Sequence, residues 1–218
     1  MRHCIALALF ATLTTAPAAE TPRQLFNGKD LTGWEYFLVD AEKKMGDVWS
    51  VKDGLLVCKG EPQGYLCTKE SFTDFRAVVE WRWAPGAKPG NSGVLLRLPK
   101  EDRMLPRCYE AQLMNGSAGD ICAFHGLTLA GAADRTKSIT GSKLGGDLMV
   151  VKKAKAAEKT PGEWNRYEIQ FKGDKLTLVI NGETVNEVAG CSVMAGRVAL
   201  QSEGGEVHFR KVEITPLD

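Results

Sequence analysis

Apolar and polar residues alternate with a period of two along most of this chain. From 75 to 83, Ala77, Val79, Trp81 and Trp83 fall on one side, and Arg76, Val78, Glu80 and Arg82 on the other. A strand sends residues i and i+2 to the same face, so this run predicts a half-buried strand. The run 93–98 sets Arg97 opposite Val94, Leu96 and Leu98, and Glu110 and Gln112 share a face of the next run, 108–114. The same signature predicts strands at 48–51, 55–58, 64–68, 164–171, 175–180, 183–188, 196–203 and 206–214. Asp53-Gly54 and Asn181-Gly182 stand between apolar runs and predict tight hairpins, whose turns need a positive φ. Residues 40–47 read as a polar loop. Residues 115–160 are the least regular stretch, and the one helix candidate there, 153–159, is polar all round. Short strands, Gly-rich turns and no amphipathic helix predict an all-β, single-domain jelly roll or sandwich.

The polar sides of these strands hold the candidate chemistry. Strand 196–203 carries Gln201 and Glu203 on one face, and strand 206–214 carries His208 and Arg210. With Glu80/Arg82, Arg97 and Glu110/Gln112, five strands from both ends of the chain present Arg, Glu, Gln and His. If terminal and central strands lie side by side in one sheet, these residues line one concave surface. The alternative is a solvated sheet face whose cross-strand ion pairs contribute little. Arg with paired carboxylates and amides suits multidentate recognition of hydroxyls, whereas a merely wet face favours Lys and Thr. The tryptophans Trp81 and Trp83 belong to the apolar face and read as core, as do Trp34, Trp49 and Trp164 by a smaller margin.

Composition narrows the function classes. The chain has 218 residues, 44% hydrophobic and 25% charged, enough for one sizeable core. Lys and Arg number 28 against 27 Asp and Glu. This balance leaves no footprint for nucleic acid or an anionic membrane. The N-terminus reads as a secretory leader: Arg2 and His3, an apolar run from Cys4, and Ala16-Pro17-Ala18 as a small-x-small cleavage pattern. Cleavage after Ala18 leaves residues 19–218 as an exported chain, periplasmic or secreted, without a membrane span. Five cysteines remain, Cys58, Cys67, Cys108, Cys122 and Cys191. Export permits disulfides, with Cys58–Cys67 and Cys108–Cys122 as open pairings and one thiol left over. No dinucleotide fingerprint, phosphate loop or nucleophile elbow is present, so no cofactor is predicted; an oxygen-rich site for calcium or another divalent ion stays open. With His125 and His208 the only histidines after the leader, a multi-histidine metal centre is not expected.

The series Leu25-Phe26-Asn27-Gly28-Lys29-Asp30-Leu31-Thr32-Gly33-Trp34, Gly64-Tyr65-Leu66, Asp74-Phe75 to Arg82, Gly90-Asn91-Ser92-Gly93 to Arg97, Tyr109-Glu110-Ala111-Gln112, Gly162-Glu163-Trp164-Asn165 and Leu200-Gln201-Ser202-Glu203-Gly204 to Arg210 resembles the 3-keto-disaccharide hydrolase domain family. The resemblance runs in order over nearly all of 24–217 and implies a concanavalin A-like jelly roll of two antiparallel sheets acting on oxidised sugars. For chemistry of that kind Glu110 is expected to be the acid/base residue, partnered by Glu80 or Glu203, with Arg97, Arg82 and His125 stabilising an oxyanion. Asn91, Gln112, Gln201, His208 and Arg210 would bind the sugar. A separate oxidoreductase would supply the 3-keto substrate. A conventional glycoside hydrolase with paired carboxylates and a non-catalytic carbohydrate-binding module are the competing readings.

Overall fold

The structure, a computed structural model, describes residues 21–217; the predicted leader, residues 1–18, lies outside the described residues. The strands, in chain order, are β1 (Arg23–Gln24), β2 (Trp34–Leu38), β3 (Trp49–Lys52), β4 (Leu55–Cys58), β5 (Gly64–Thr68), β6 (Phe75–Trp83), β7 (Gly93–Leu98) and β8 (Tyr109–Gln112). They continue with β9 (Ile121–Ala123), β10 (Thr136–Ser142), β11 (Gly146–Val151), β12 (Asn165–Lys172), β13 (Lys175–Ile180), β14 (Glu183–Val188), β15 (Arg197–Ser202) and β16 (Val207–Pro216). One short helix, α1 (Met45–Val48), sits in the stretch expected to be loop.

Two antiparallel sheets result. The back sheet runs β14-β13-β12-β6-β16-β4-β3, with β1 on β16; the front sheet runs β10-β11-β9-β8-β7-β15-β5-β2. The predicted hairpins form as expected, with Asp53 and Gly54 at φ 52° and 76° and Asn181 and Gly182 at 53° and 86°. The irregular stretch contains three strands that the sequence pattern did not predict, β9, β10 and β11, while 153–159 is coil rather than helix. The reason lies in β10: its residues are almost all exposed, so no alternation marks it.

The alternation does place the core. Ala77, Val79, Trp81 and Trp83 of the back sheet meet Val94, Leu96, Ala111 and Leu200 of the front sheet in one buried cluster that also holds Trp34 and Trp49. A second apolar cluster covers the other face of the front sheet, where Met104 and Leu105 fold down over Tyr65, Leu95, Cys108 and Ala199. The front sheet is therefore covered on both sides, and β5, β7 and β15 are buried along their whole length.

The expectation of one shared polar surface is corrected. Terminal strands do pair with central ones, but the pairing occurs twice. β16 joins β6 in the back sheet, and β15 joins β7 in the front sheet. Glu80, Arg82, His208 and Arg210 thus belong to one sheet, and Glu110, Gln112 and Gln201 to the other, with the core between. All five cysteines after the leader are buried unpaired thiols, so neither open disulfide pairing forms.

Candidate active site

The site forms where β7, β8 and β15 run side by side. Leu95 is paired with Glu110 on one side and Ala199 on the other, and Glu110 is paired with Cys122 of β9. Gly93 pairs with Gln112, and Gln201 continues the β15 ladder next to it, opposite Tyr65. Ser92 Oγ donates to the Gln201 carbonyl at 2.8 Å and fixes that register.

Glu110 is 2% exposed and Gln201 1%. The Glu110 carboxyl leans across the neighbouring strand into space left by Gly93: a Cβ there would come within 2.9 Å of its Cδ and Cγ. Just beyond β15, Glu203 accepts a 2.6 Å hydrogen bond from Asn91 Nδ2. Close contact of main chains sets this loop. Asn91 N donates to Gly204 O, Gly204 N to Gly60 O, and a Cβ on Gly60, Gly90 or Gly205 would collide with the backbone facing it.

Four buried polar atoms converge here without partners: Glu110 Oε1, Asn91 Oδ1, and both Oε1 and Nε2 of Gln201. Buried polar atoms in folded proteins are nearly always paired, so such a cluster is suited to water or to a polar ligand with hydroxyls or carbonyls. Burial, reinforced by the charges of Glu203 and Asp120, raises the Glu110 pKa to about 8; the Cys122 thiol hydrogen-bonds to it and opposes the rise. The Glu203 pKa is raised too, by burial, against the pull of Gln201 and Asn91. The Gln201 amide lies near enough to act on Glu203 without meeting hydrogen-bond geometry, so its polar atoms count as free. Two carboxyls with raised proton affinity, side by side and partly shielded from water, can exchange a proton with a bound substrate.

The remaining predicted residues lie elsewhere. Arg97 is fully buried at φ 52°, at a bulge where β7 slips against β15. The bulge moves Leu98 into the outer cluster with Leu95, breaking the expected alternation, and turns Arg97 toward the back sheet. Its guanidinium donates to the carbonyls of Thr73, Ser192 and Gly173 and to Asp74, and stacks 3.8 Å from the Phe171 ring centroid. His125 Nε2 meets the Leu105 carbonyl at 2.7 Å, pinning the segment that covers the front sheet. Gln112 Oε1 accepts the backbone N–H groups of Leu113 and Met114 and so closes the turn after β8.

Glu80 lies on the outer face of the back sheet, bonded to Arg210 at 2.6 Å and Arg166 at 3.1 Å. Partial burial works to raise its pKa, but the two arginines outweigh it and hold it below the usual carboxylate range. Arg82 and Arg210 each stack 4.6 Å from the ring of half-buried Trp164, and His208 meets Glu206 at 2.7 Å. These residues form the ion-paired surface that was the alternative reading for the whole set. Sequence reasoning missed Gly93 and Cys122, because only the strand register reveals that both touch Glu110.

A cleft of about 530 Å³ lies at the β13–β14 edge beside Arg135, Lys175 and Asn186. None of its side chains has an orphaned polar atom among the described residues. A second, about 390 Å³, continues the row from Gln201 through Tyr65 and Phe37 to the β2 edge. Among the described residues no group of three or more His, Cys, Asp or Glu side chains converges as a metal site requires.

Two antiparallel sheets packed face to face, with an embedded carboxyl pair on one of them, define a concanavalin A-like jelly roll of the glycosyl hydrolase-like kind. The chain belongs to the 3-keto-alpha-glucoside-1,2-lyase-like domain family, whose model matches residues 21–215. Among solved structures it is similar to a candidate glycosyl hydrolase from Parabacteroides distasonis, at 23% identity and TM-score 0.64, covering 90% of this chain and 94% of that one. It is also similar to a carbohydrate-binding module, CBM66, from Bacillus subtilis, at 15% identity and TM-score 0.59 over 84% of this chain and 96% of the other. A Bacillus licheniformis β-glucanase matches at 10% identity and TM-score 0.55, covering 93% of this chain and 100% of that one. No curated protein sequence matches the chain.

Proposed function

We propose that this protein cleaves the glycosidic bond of 3-keto-glycosides by removing the C2 proton, expelling the anomeric substituent and then adding water. The observation that carries the reading is Glu110: a buried carboxyl of pKa about 8 with an orphaned oxygen, beside Glu203 and two amides. A ketone at C3 acidifies the hydrogen on C2. A carboxylate with raised proton affinity is a stronger base toward that hydrogen than an ordinary one, and a positioned base contributes about 10²–10⁴-fold. Once protonated, the same group can deliver its proton to the leaving oxygen. Glu203 and Asn91 hold sugar hydroxyls next to it. The leader-like N-terminus supports reading this as an exported activity, with a separate sugar oxidoreductase as the source of the keto-sugar.

The test offers the protein an aryl glucoside and its 3-keto form separately. Release from the keto form alone, abolished by Glu110→Gln with the fold intact, is the expected result. Release from both forms identifies a conventional hydrolase, and sugar binding without release from either identifies a binding module. Near-normal turnover by Glu110→Gln removes Glu110 from the chemistry.

A further inference from the structure

Among the described residues the Glu110 cluster holds two carboxyls and two amides, and no Lys, Arg or His is hydrogen-bonded to either carboxyl. The side chains beside Glu110 and Glu203 are Cys122, Gln201 and Asn91, and the lysine that stands behind them, Lys152, is paired with Asp120 at 2.7 Å. The basic residues expected to stabilise an oxyanion are engaged elsewhere, Arg97 between the sheets, His125 on Leu105 and Arg82 over the Trp164 ring on the back sheet. An enolate forming beside carboxyls needs a fixed donor, since electrostatic stabilisation of developing charge is commonly the largest single contribution to catalysis. Asn91 Nδ2 is occupied by Glu203, and the Tyr65 hydroxyl donates to the Glu101 carbonyl at 2.8 Å. Among the described residues one buried donor of the cluster meets hydrogen-bond geometry with no protein group, Nε2 of Gln201, which faces Glu203. Its strand position is locked by the Ser92 hydrogen bond to its own carbonyl.

We propose that the Gln201 amide is the oxyanion donor of this site, hydrogen-bonding the C3 oxygen of a keto-sugar while Glu110 takes the C2 proton. The assignment rests on the keto-glycoside reading above. In the first step the C2–H pair forms C2=C3, the carbonyl π pair moves onto the C3 oxygen, and the proton goes to Glu110. In the second, C3=O reforms, C1=C2 forms, the C1–O bond breaks, and the leaving oxygen takes the proton from Glu110. No electrons enter or leave, so no redox partner is needed at this site. A neutral donor among carboxyls also sets the substrate class. Uncharged keto-sugars are accepted, and a carboxylate or phosphate on the same ring is repelled.

The test follows exchange of the C2 hydrogen for deuterium by NMR, alongside turnover, using a 3-keto-glucoside in heavy water. For Gln201→Met, exchange and kcat are expected to fall together by about 10²–10³-fold, with KM changed only a few-fold. Gln201→Glu, which keeps the shape but replaces the donor with an acceptor, falls at least as far and carries the test if the methionine variant does not fold. Exchange within threefold of wild type in a folded variant overturns the proposal. So does an effect confined to KM, which would make Gln201 a mere hydroxyl ligand. A wild-type protein that neither exchanges nor cleaves the keto-sugar instead overturns the underlying reaction, and this assignment with it.

Discussion

The carboxyl of Glu110 occupies the volume that a side chain on Gly93 would fill. Gly93 has no left-handed backbone angle, so the requirement here is for space rather than conformation. Gly93→Ala is expected to keep the fold and to push the carboxyl out of position. Misplacing a reacting group by about 1 Å costs about 100-fold in rate. Steady-state turnover of the keto substrate, with a thermal melt as control, checks this; activity within a few-fold of wild type would detach Glu110 from the chemistry.

The raised pKa of Glu110 predicts a pH profile. As a general base it must be ionised, so kcat/KM should rise about tenfold per pH unit up to about 8 and level off above. A profile that falls above 8 would mean that Glu110 works as the protonated acid and that Glu203 is the base.

The same pKa predicts a stability trend. Between the ordinary carboxyl range and about 8 the folded protein holds a proton that the unfolded chain releases. Stability attributable to this group therefore declines as pH rises through that window, at about 1.4 kcal/mol for each tenfold change in relative proton affinity. Glu110→Gln, which cannot ionise, should melt close to wild type near pH 5 and above it at pH 9. Melting curves at the two pH values decide the sign.

Arg97 is expected to matter for stability rather than for chemistry. Truncating a fully buried guanidinium leaves Asp74 and three carbonyls short of a donor, and breaking a buried pair of this kind costs about 3–5 kcal/mol. Arg97→Met should lower the denaturation midpoint sharply. Arg97→Lys should recover only part, since an ammonium cannot reproduce the planar fork that bridges these acceptors. Equal melting of all three proteins would refute the structural role.

The five thiols should be unreactive in the native state and all titrate after denaturation. Burial pushes Cys58, Cys67 and Cys191 up to about 11, so little reactive thiolate exists at neutral pH. Reductant should leave the melting temperature unchanged; a drop would reveal a disulfide.

Much of the fold was legible in the residue pattern because most strands have one buried face. Trp81 and Trp83 could be assigned to the core from alternation alone, and the two hairpins from Asp53-Gly54 and Asn181-Gly182. Among the strands that escaped notice, β10 is almost wholly exposed and β9 is buried throughout, so neither shows alternation, while β1, β2 and β11 were also missed. The polar residues were harder. Alternation says which side chains share a face of one strand, but not which sheet that strand joins. Glu80 and Glu110 look alike in sequence, yet one is ion-paired on the back sheet and the other is embedded in the front. Arg97 was obscured by a bulge that reverses facing, and the glycine that makes room for its backbone, Gly196, lies far away in sequence.

The meeting of Gly60, Gly90, Gly204 and Gly205 bears on how this family can diversify. The loop that carries Glu203 is held against Asn91 by main chain touching main chain, so no side chain there can be trimmed or enlarged to reshape the pocket. The carboxyl pair is a fixed fitting. Variation in substrate range is expected in the coverings, the 99–107 segment and the neighbouring 124–151 stretch, where side chains such as Met104, Leu105, Phe124 and Leu148 pack over the front sheet.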